Sequence, residues 1–122
     1  MSGQESRVLG RWGEALAADY FRKRGAAVLA ANWRCRFGEL DLIVSDGAYL
    51  CFVEVKLRKN ASYGQAGEFV DWRKQEKLRA AAESYLAQHP TQLQPRFDVV
   101  EVYAPQGTDT KTPIVRHTEN AF

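Results

Sequence analysis

The chain has 122 residues, a length that fits one domain with its own hydrophobic core, and we expect a single domain over residues 1–122. Hydrophobic residues make up 45% and charged residues 26% of the sequence, proportions that are typical of a soluble globular protein. The formal charge of +2 neither requires nor excludes a nucleic-acid partner.

Membrane and secretory classes find no support in the sequence. No apolar run approaches the roughly 20 residues of a membrane-spanning helix, and the first residues lack the apolar stretch of a secretory signal. The two cysteines, Cys35 and Cys51, do not make a disulfide framework. We therefore expect a cytoplasmic protein that has no membrane partner.

The N-terminal third predicts a helix followed by a strand. Residues 6–24 predict an amphipathic helix because apolar side chains recur at three- and four-residue intervals, and Gly25 is a suitable C-terminal stop. Glu14 lies at the edge of the apolar stripe, where it faces either solvent or a cleft beside a sheet. Residues 26–31 then predict a short strand, and residues 32–38 predict a loop.

The central stretch predicts a β-hairpin over residues 38–56. Two runs rich in β-branched and aromatic residues flank an Asp-Gly pair at 46–47, which is a typical hairpin turn. In this register Asp41 lies opposite Phe52 and diagonally across from Glu54.

The two faces of this hairpin differ because side chains alternate across a sheet. One face carries no charge: Leu40, Leu42, Val44, Tyr49, Cys51, Val53 and Val55. The other face is apolar near the turn but ionic at its far end: Glu39, Asp41, Glu54 and Lys56. This pattern indicates a sheet covered on both sides, with charged groups gathered at one open end.

The C-terminal half completes an α/β pattern. Residues 58–67 predict a polar loop, and a second helix is predicted from residue 69 or 71 to residue 88. Residues 96–103 predict a strand that joins the sheet in parallel after the helical crossover. Residues 114–117 predict a final edge strand. The order α-β-β-β-α-β-β predicts an α/β sandwich, with a central mixed β-sheet flanked by helices.

The ionic end of the hairpin has the composition of a metal site. Asp41 and Glu54 lie on neighbouring strands, near enough for their carboxylate tips to converge. Two carboxylates, a backbone carbonyl and waters suit Mg²⁺. Lys56 shares the face of Glu54 and could orient an attacking water or stabilise charge on a phosphate. The alternative is an ordinary hairpin in which Glu54 and Lys56 form cross-strand ion pairs.

Several motifs resemble known families. Gly38-Glu39-Leu40-Asp41, followed by Phe52-Val53-Glu54-Val55-Lys56, resembles the signature of the PD-(D/E)xK nuclease superfamily, although no proline precedes Asp41. Almost the whole chain is similar to the bacterial YraN family, a largely uncharacterised group placed with Holliday-junction resolvases by similarity. The motifs that carry this second resemblance are Gly10-Arg11-Trp12-Gly13-Glu14-Ala15, Asn32-Trp33-Arg34, Tyr63-Gly64, Lys74, Arg96-Phe97-Asp98-Val99 and Asn120-Ala121-Phe122.

The resemblance implies a restriction-endonuclease-like fold and assigns roles to five residues. Asp41 and Glu54 match the metal-binding carboxylates of the superfamily. Glu14 matches an acidic residue on the first helix that contacts the metal directly or through water. Val55 would lend its carbonyl oxygen to the metal, and Lys56 matches the catalytic lysine.

The leading hypothesis is a Mg²⁺- or Mn²⁺-dependent endonuclease that cuts DNA phosphodiesters in repair or recombination, with branched DNA as one candidate substrate. Lys74 and Gln75 would position the phosphate. The full set of expected nucleic-acid contacts is Arg34, Arg36, Arg58, Arg73, Lys74 and Gln75. The alternative is a non-catalytic module of the same fold that binds nucleic acid or a protein partner. Junction cutting would favour a two-fold homodimer.

Overall fold

A five-stranded mixed sheet lies at the centre of the structure, a computed structural model that describes residues 3–59 and 70–122. The elements follow in this order: α1 (Gly3–Lys23), β1 (Ala27–Cys35), β2 (Gly38–Asp46), β3 (Tyr49–Arg58), α2 (Trp72–Gln88), β4 (Gln94–Tyr103) and β5 (Ile114–Thr118), with a 3₁₀ turn at Gly107–Asp109 before β5. The strands lie side by side in chain order, so β1 and β5 form the two edges. None of the helices in the described ranges is long and apolar enough to cross a membrane.

The directions of the strands follow from their connections. Short turns join β1 to β2 and β2 to β3, and these pairs are antiparallel. The α2 crossover returns the chain to the same end of the sheet, so β4 runs parallel to β3. β5 then pairs with β4 in the antiparallel sense. The predicted element order, the parallel addition of β4 and the edge position of β5 are all confirmed.

Helix α1 ends as the sequence predicted. Gly25 adopts a φ of +88°, and its N–H donates to the Arg22 carbonyl at 3.0 Å. The N–H of Ala26 donates to the Phe21 carbonyl, also at 3.0 Å. These two bonds form a Schellman motif, in which glycine is favoured because it takes the left-handed conformation at little cost.

Helix α2 begins at the later of the two predicted starts. Asp71 caps the helix, because its carboxylate accepts a hydrogen bond from the backbone N–H of Lys74 at 2.9 Å. The helix ends at Gln88, before His89 and Pro90. The predicted loop over residues 58–67 lies mostly outside the described residues, while β3 itself continues to Arg58.

One helix packs on each face of the sheet. The core on the α1 side includes Phe21, Leu42 and Val53. The core on the α2 side includes Phe52 and Tyr85. The fold is therefore an α/β sandwich in which both faces of the central hairpin are covered, as its two apolar faces indicated.

Two sequence predictions about this sheet are wrong. Strand β1 does not end at residue 31, because Arg34 pairs with Glu39 and Cys35 pairs with Gly38. Residues predicted as a loop are thus held in the sheet by pairing with β2, which overrides their weak strand propensity.

The predicted hairpin register is also wrong. Asp46 pairs with Tyr49, so the turn consists of Gly47 and Ala48. Gly47 alone takes a positive φ, of +62°, as a type II′ turn requires of its first central residue. Phe52 consequently pairs with Ile43 instead of Asp41. The pairing shifts by two residues, an even number, so the side chains keep their faces, and Asp41 comes level with Glu54.

Candidate active site at the fork of the hairpin

The candidate site lies where β2 leaves β3. The paired residues run from Asp46–Tyr49 to Leu42–Val53. Beyond that point the backbone N–H of Val55 donates to Oδ2 of Asp41 at 2.9 Å. The Asp41 side chain therefore accepts a hydrogen bond from β3 at the fork, and this bond fixes its carboxylate beside Glu54.

Strand β1 contributes an irregularity at the same level. Ala31 and Leu42 pair on the α1 side, but Trp33 and Leu40, the next aligned pair, belong to the core beneath α2. Side chains two residues apart normally share a face, so the alternation breaks between these pairs. Asn32 lies at the break with a φ of +54°, an uncommon conformation outside glycine. The prediction that Leu40 shares a face with Leu42 is therefore wrong.

Burial and neighbouring charge perturb Asp41. Burial, followed by the negative charge of Glu54, raises the pKa of Asp41 to about 7. Glu14 adds to this effect, whereas the hydrogen bond from Val55 and the charge of Lys74 oppose it. Carboxylates from β2, β3 and α1 thus interact at the fork, and their combined negative charge favours a proton or a cation there.

Glu54 is buried between two lysines. The residue is only 6% exposed, and its Oε1 lies 3.5 Å from Nζ of Lys56 and 3.6 Å from Nζ of Lys74. Its Oε2 is buried without a hydrogen-bond partner among the residues that the structure describes. The first turn of α2 therefore brings a second ammonium group to the Glu-x-Lys strand, and one carboxylate oxygen remains available.

Glu14 faces the cleft, which settles the choice that its sequence position left open. Burial raises the pKa of Glu14, a side-chain hydrogen bond from Asn32 opposes the rise, and Glu39 and Glu54 add to it. Its Oε1 is buried and accepts no hydrogen bond within the described part of the chain. Gly13 allows this approach, because a Cβ there would lie 2.8 Å from the Leu57 side chain of β3.

These groups suit a hydrated cation better than a closed metal cage. The buried oxygens Oε2 of Glu54 and Oε1 of Glu14, together with the raised pKa of Asp41, indicate negative charge that lacks compensation. Across residues 3–59 and 70–122, no three His, Cys, Asp or Glu side chains form a group that could hold a metal ion. Mg²⁺ commonly binds through one or two carboxylates and keeps several waters, so Asp41 and Glu54 fit that ion.

Three of the expected nucleic-acid contacts interact with other groups of the protein, and one of them, Lys74, lies beside a carboxylate of the fork. Lys74 extends toward Glu54, as described above. The Gln75 side-chain amide donates to the Val70 carbonyl at 2.7 Å, so it holds the start of α2. Arg58 lies with its Nε 3.4 Å from Oε2 of the fully buried Glu101.

The other three lie on the surface. Arg34 is exposed on β1, with its Nε 3.4 Å from Oε2 of Glu39. Arg36, in the turn between β1 and β2, lies over the Phe37 ring at 4.7 Å from its centre. Arg73 is exposed in the first turn of α2. The structure thus brings Lys74 to Glu54 and leaves these three arginines exposed.

Sequence reasoning missed two residues at this site. Asn32 was predicted as part of a loop, yet it links β1 to Glu14 through its side chain. Glu101 lies on β4 beside Lys56, is fully buried, and pairs with Arg58. The signal for Glu101 was present in the sequence, since a charged residue between two valines of a core strand requires a buried partner.

The fold and the site define an α/β-sandwich protein with carboxylates and lysines at the fork of its central hairpin. The model of the family described as "Uncharacterised protein family UPF0102" matches residues 13–102. The chain is 43% identical over 123 residues to a UPF0102 protein of Frankia alni, and the match covers 100% of both chains. It is 44% identical over 117 residues to a UPF0102 protein of Pelotomaculum thermopropionicum, a match that covers 95% of this chain and 96% of the relative. The chain therefore belongs to UPF0102, the YraN family that its motifs indicated.

Proposed function

We propose that this protein is a divalent-metal-dependent endonuclease that acts on DNA phosphodiesters. One observation carries the proposal: Asp41, held at the fork by the Val55 N–H, interacts with a Glu54 carboxylate that lies against two lysines. A structural ion pair needs one cation and one anion. This arrangement adds a second carboxylate whose pKa is raised, which is typical of functional sites.

Each side chain at the fork would have a separate role in phosphodiester hydrolysis. A bound Mg²⁺ or Mn²⁺ would supply Lewis acidity and lower the pKa of a bound water. Asp41 and Glu54 would hold that ion, with Glu14 and the Val55 carbonyl oxygen as further ligands. Lys56 would orient the attacking water and stabilise charge on the phosphate. Lys74, in the first turn of α2, would draw the phosphate toward the carboxylates.

The substrate follows from resemblance and surface charge. The signature shared with the PD-(D/E)xK superfamily favours DNA, and the similarity to junction resolvases favours branched DNA in repair or recombination. Arg34, Arg36 and Arg73 are exposed and would contact the sugar-phosphate backbone without reading its sequence. Cutting at a two-fold-symmetric junction would favour a homodimer.

The second candidate is a nucleic-acid-binding or partner-docking module that performs no chemistry. The observation that favours it is the position of Lys56 and Lys74, whose ammonium groups both lie near Oε1 of Glu54 and partly neutralise it without a metal. Such a module would bind DNA in a salt-dependent manner and would need no divalent ion.

Cleavage of supercoiled plasmid and of a four-way DNA junction in Mn²⁺ separates these candidates. We expect the wild type to cut at least one of the two substrates, and Asp41→Ala to lose the activity. Asp109→Ala is the matched control, because Asp109 is exposed in the 3₁₀ turn and should be dispensable. DNA binding by the wild type without any cleavage would favour the binding module, and equal cleavage by Asp41→Ala would rule out the proposed site.

A further inference from the structure

A groove runs between α1 and the edge strand β1, beginning at the candidate active site. Its volume is about 260 Å³. The groove is lined by one side of α1, by β1 and by one residue of β2: Arg11, Glu14, Ala15, Ala18, Arg22, Val28, Ala31, Asn32 and Leu42. Glu14 and Asn32 belong both to this groove and to the site, so the groove opens directly onto the carboxylates.

The helix side of the groove is a single stripe with an arginine at each end. Arg11, Glu14, Ala15, Ala18 and Arg22 recur at three- and four-residue intervals and therefore share one face of α1. With a rise of 1.5 Å per residue, the two arginines are about 16 Å apart along the helix axis. Small alanines lie between them, which leaves the middle of the groove open.

A bulge in β1 shapes the opposite wall. Val28 pairs with Val44 and Ala31 pairs with Leu42, with a register shift between Val28 and Ala30. The extra residue places both Val28 and Ala31 toward α1, where regular alternation would have turned one of them away. At these two positions the wall that faces the helix therefore consists of small apolar side chains.

Neither of the two arginines is held in an ion pair within the described residues. Other arginines pair with acids, as Arg24 does with Asp46 and Arg96 with Asp98. Arg11 and Arg22 are exposed, and neither forms an ion pair with an acid of residues 3–59 or 70–122. The two exposed guanidinium groups lie at the ends of a groove whose only other charged lining group is Glu14, at the end that meets the carboxylates. Guanidinium groups spaced in this way match phosphates that are joined by sugars.

We propose that this groove binds the sugar-phosphate backbone of one nucleic-acid strand next to the cleavage site, with Arg11 and Arg22 contacting separate phosphates. The inference rests on the proposed function and extends it, because it assigns the path by which a strand reaches or leaves the carboxylates. The distance between the arginines exceeds the spacing of neighbouring phosphates, so the two side chains would contact phosphates that are not adjacent in the strand. A groove of about 260 Å³ is too small to hold a duplex, so substrates with a separated strand should be preferred.

The test compares two charge reversals at opposite edges of the sheet. Arg22→Glu alters the groove end that is farther from the carboxylates, and Arg116→Glu makes the same charge change on β5. Binding of a fluorescein-labelled single-stranded oligonucleotide is measured by anisotropy in EDTA, with the full chain. We expect about tenfold weaker binding for Arg22→Glu and less than about twofold for Arg116→Glu. Arg22→Ala should lower the slope of binding against salt by about one unit.

Three other outcomes would contradict the proposed groove. Equal weakening by the two reversals would indicate a general charge effect and overturn the groove, while the proposed nuclease activity would stand. Equal affinity for the oligonucleotide and for a blunt duplex of the same length would also overturn it. Failure of the wild type to bind either DNA in EDTA would overturn the groove, whereas the proposed function is tested separately by cleavage in Mn²⁺. Thermal unfolding of each variant verifies that Arg22→Glu has kept the fold.

Discussion

Asp41 is held in place by the fold although its charge is unfavourable there. The Val55 N–H fixes the carboxyl group at the fork, while burial and Glu54 raise its pKa to about 7 from an ordinary value of 3.8. The protein without metal is therefore destabilised when Asp41 ionises beside Glu54. An acid that lowers the stability of the folded protein is characteristic of functional sites, where activity and stability compete.

Asp41→Asn should stabilise the metal-free protein at pH 8. Because the pKa of Asp41 is raised in the folded state, its favourable contribution is complete below about pH 4 and is lost as pH rises through about 7. Asparagine cannot ionise and can still accept the Val55 hydrogen bond. We expect a gain on the order of 1 kcal/mol in the free energy of unfolding at pH 8, with little difference near pH 4. Urea denaturation in EDTA at several pH values measures both.

A lower stability of Asp41→Asn at pH 8 would contradict the electrostatic account of the fork. Glu39→Gln serves as the control, because Glu39 is paired with Arg34 at the surface and should show no comparable gain. Addition of Mg²⁺ should then reverse the order, because the wild type alone retains both carboxylates for the ion.

At the scale of elements, α1 carries Glu14 to the fork only because it packs closely on β3. A Cβ on Gly13 would lie 2.8 Å from Cδ2 of Leu57 and 3.2 Å from its Cγ. A Cβ on Gly10 would meet nothing within 4 Å. Two glycines of one helix therefore have different roles, and only Gly13 sets the distance between the helix and the sheet.

Gly10→Ala and Gly13→Ala should affect stability differently. Alanine favours a helix by roughly 1 kcal/mol over glycine, so Gly10→Ala should stabilise the protein by about that amount. Gly13→Ala should lose this gain or destabilise the protein, because Leu57 must move to admit the new methyl group. Chemical denaturation of both variants gives the comparison. Equal stabilisation by the two substitutions would show that α1 does not press on Leu57.

The elements themselves could be predicted from the sequence, but the contacts among them could not. Hydrophobic periodicity located both helices, and Gly25 and Asp71 marked their ends through local backbone chemistry. The extension of β1 through Asn32 to Cys35 depends on pairing with β2, a tertiary effect that local propensity does not encode. The predicted faces are correct for the core positions between Leu42 and Val53, because the register error is two residues and an even shift preserves the faces.

The candidate site was only partly visible for the same reason. Motif residues on adjacent strands could be identified from their types and spacing, as Asp41, Glu54 and Lys56 were. Asn32 could not, because a polar residue in a stretch without periodicity resembles a loop. Its importance comes from a left-handed backbone and a bond to Glu14, and both depend on the folded chain.

At the scale of the whole molecule, a buried ion pair joins β4 to the C-terminal segment and to α1. Asp98 is fully buried and accepts two hydrogen bonds from Arg96, at 2.9 Å each. It also accepts from Nε2 of His117 at 2.7 Å and from the Asn120 N–H at 3.0 Å. The hydroxyl of Tyr20, on α1, lies 3.0 Å from Nδ1 of the same histidine. The Asp98 carboxylate thus links β4 to the C-terminal segment directly, and to α1 through His117.

Asp98→Asn should destabilise the whole fold by about 3 kcal/mol at pH 7, because a buried Arg96 loses its nearest carboxylate and keeps only Asp46 and Glu119, both at 3.7 Å. Burial alone would raise the pKa of Asp98, but the hydrogen bonds from His117, Arg96 and the Asn120 N–H lower it. Because the folded-state pKa is depressed, the stabilising contribution of Asp98 is present above about pH 4 and is lost as pH falls through the folded value. The gap between wild type and Asp98→Asn should therefore be full from pH 5 to 7 and should narrow below pH 4.

Glu119→Gln is the matched control, since Glu119 also approaches Arg96, at 3.7 Å, but is half exposed. Its loss should cost less than about 1 kcal/mol, as for other surface ion pairs. Thermal unfolding from pH 3 to pH 7 measures all three proteins. If Asp98→Asn unfolded no more easily than Glu119→Gln at pH 7, the buried network could not be what fastens β5 and the C-terminal segment to the sheet. The fork, formed by β2 and β3, should keep its metal response in Glu119→Gln, because the two clusters share no residue.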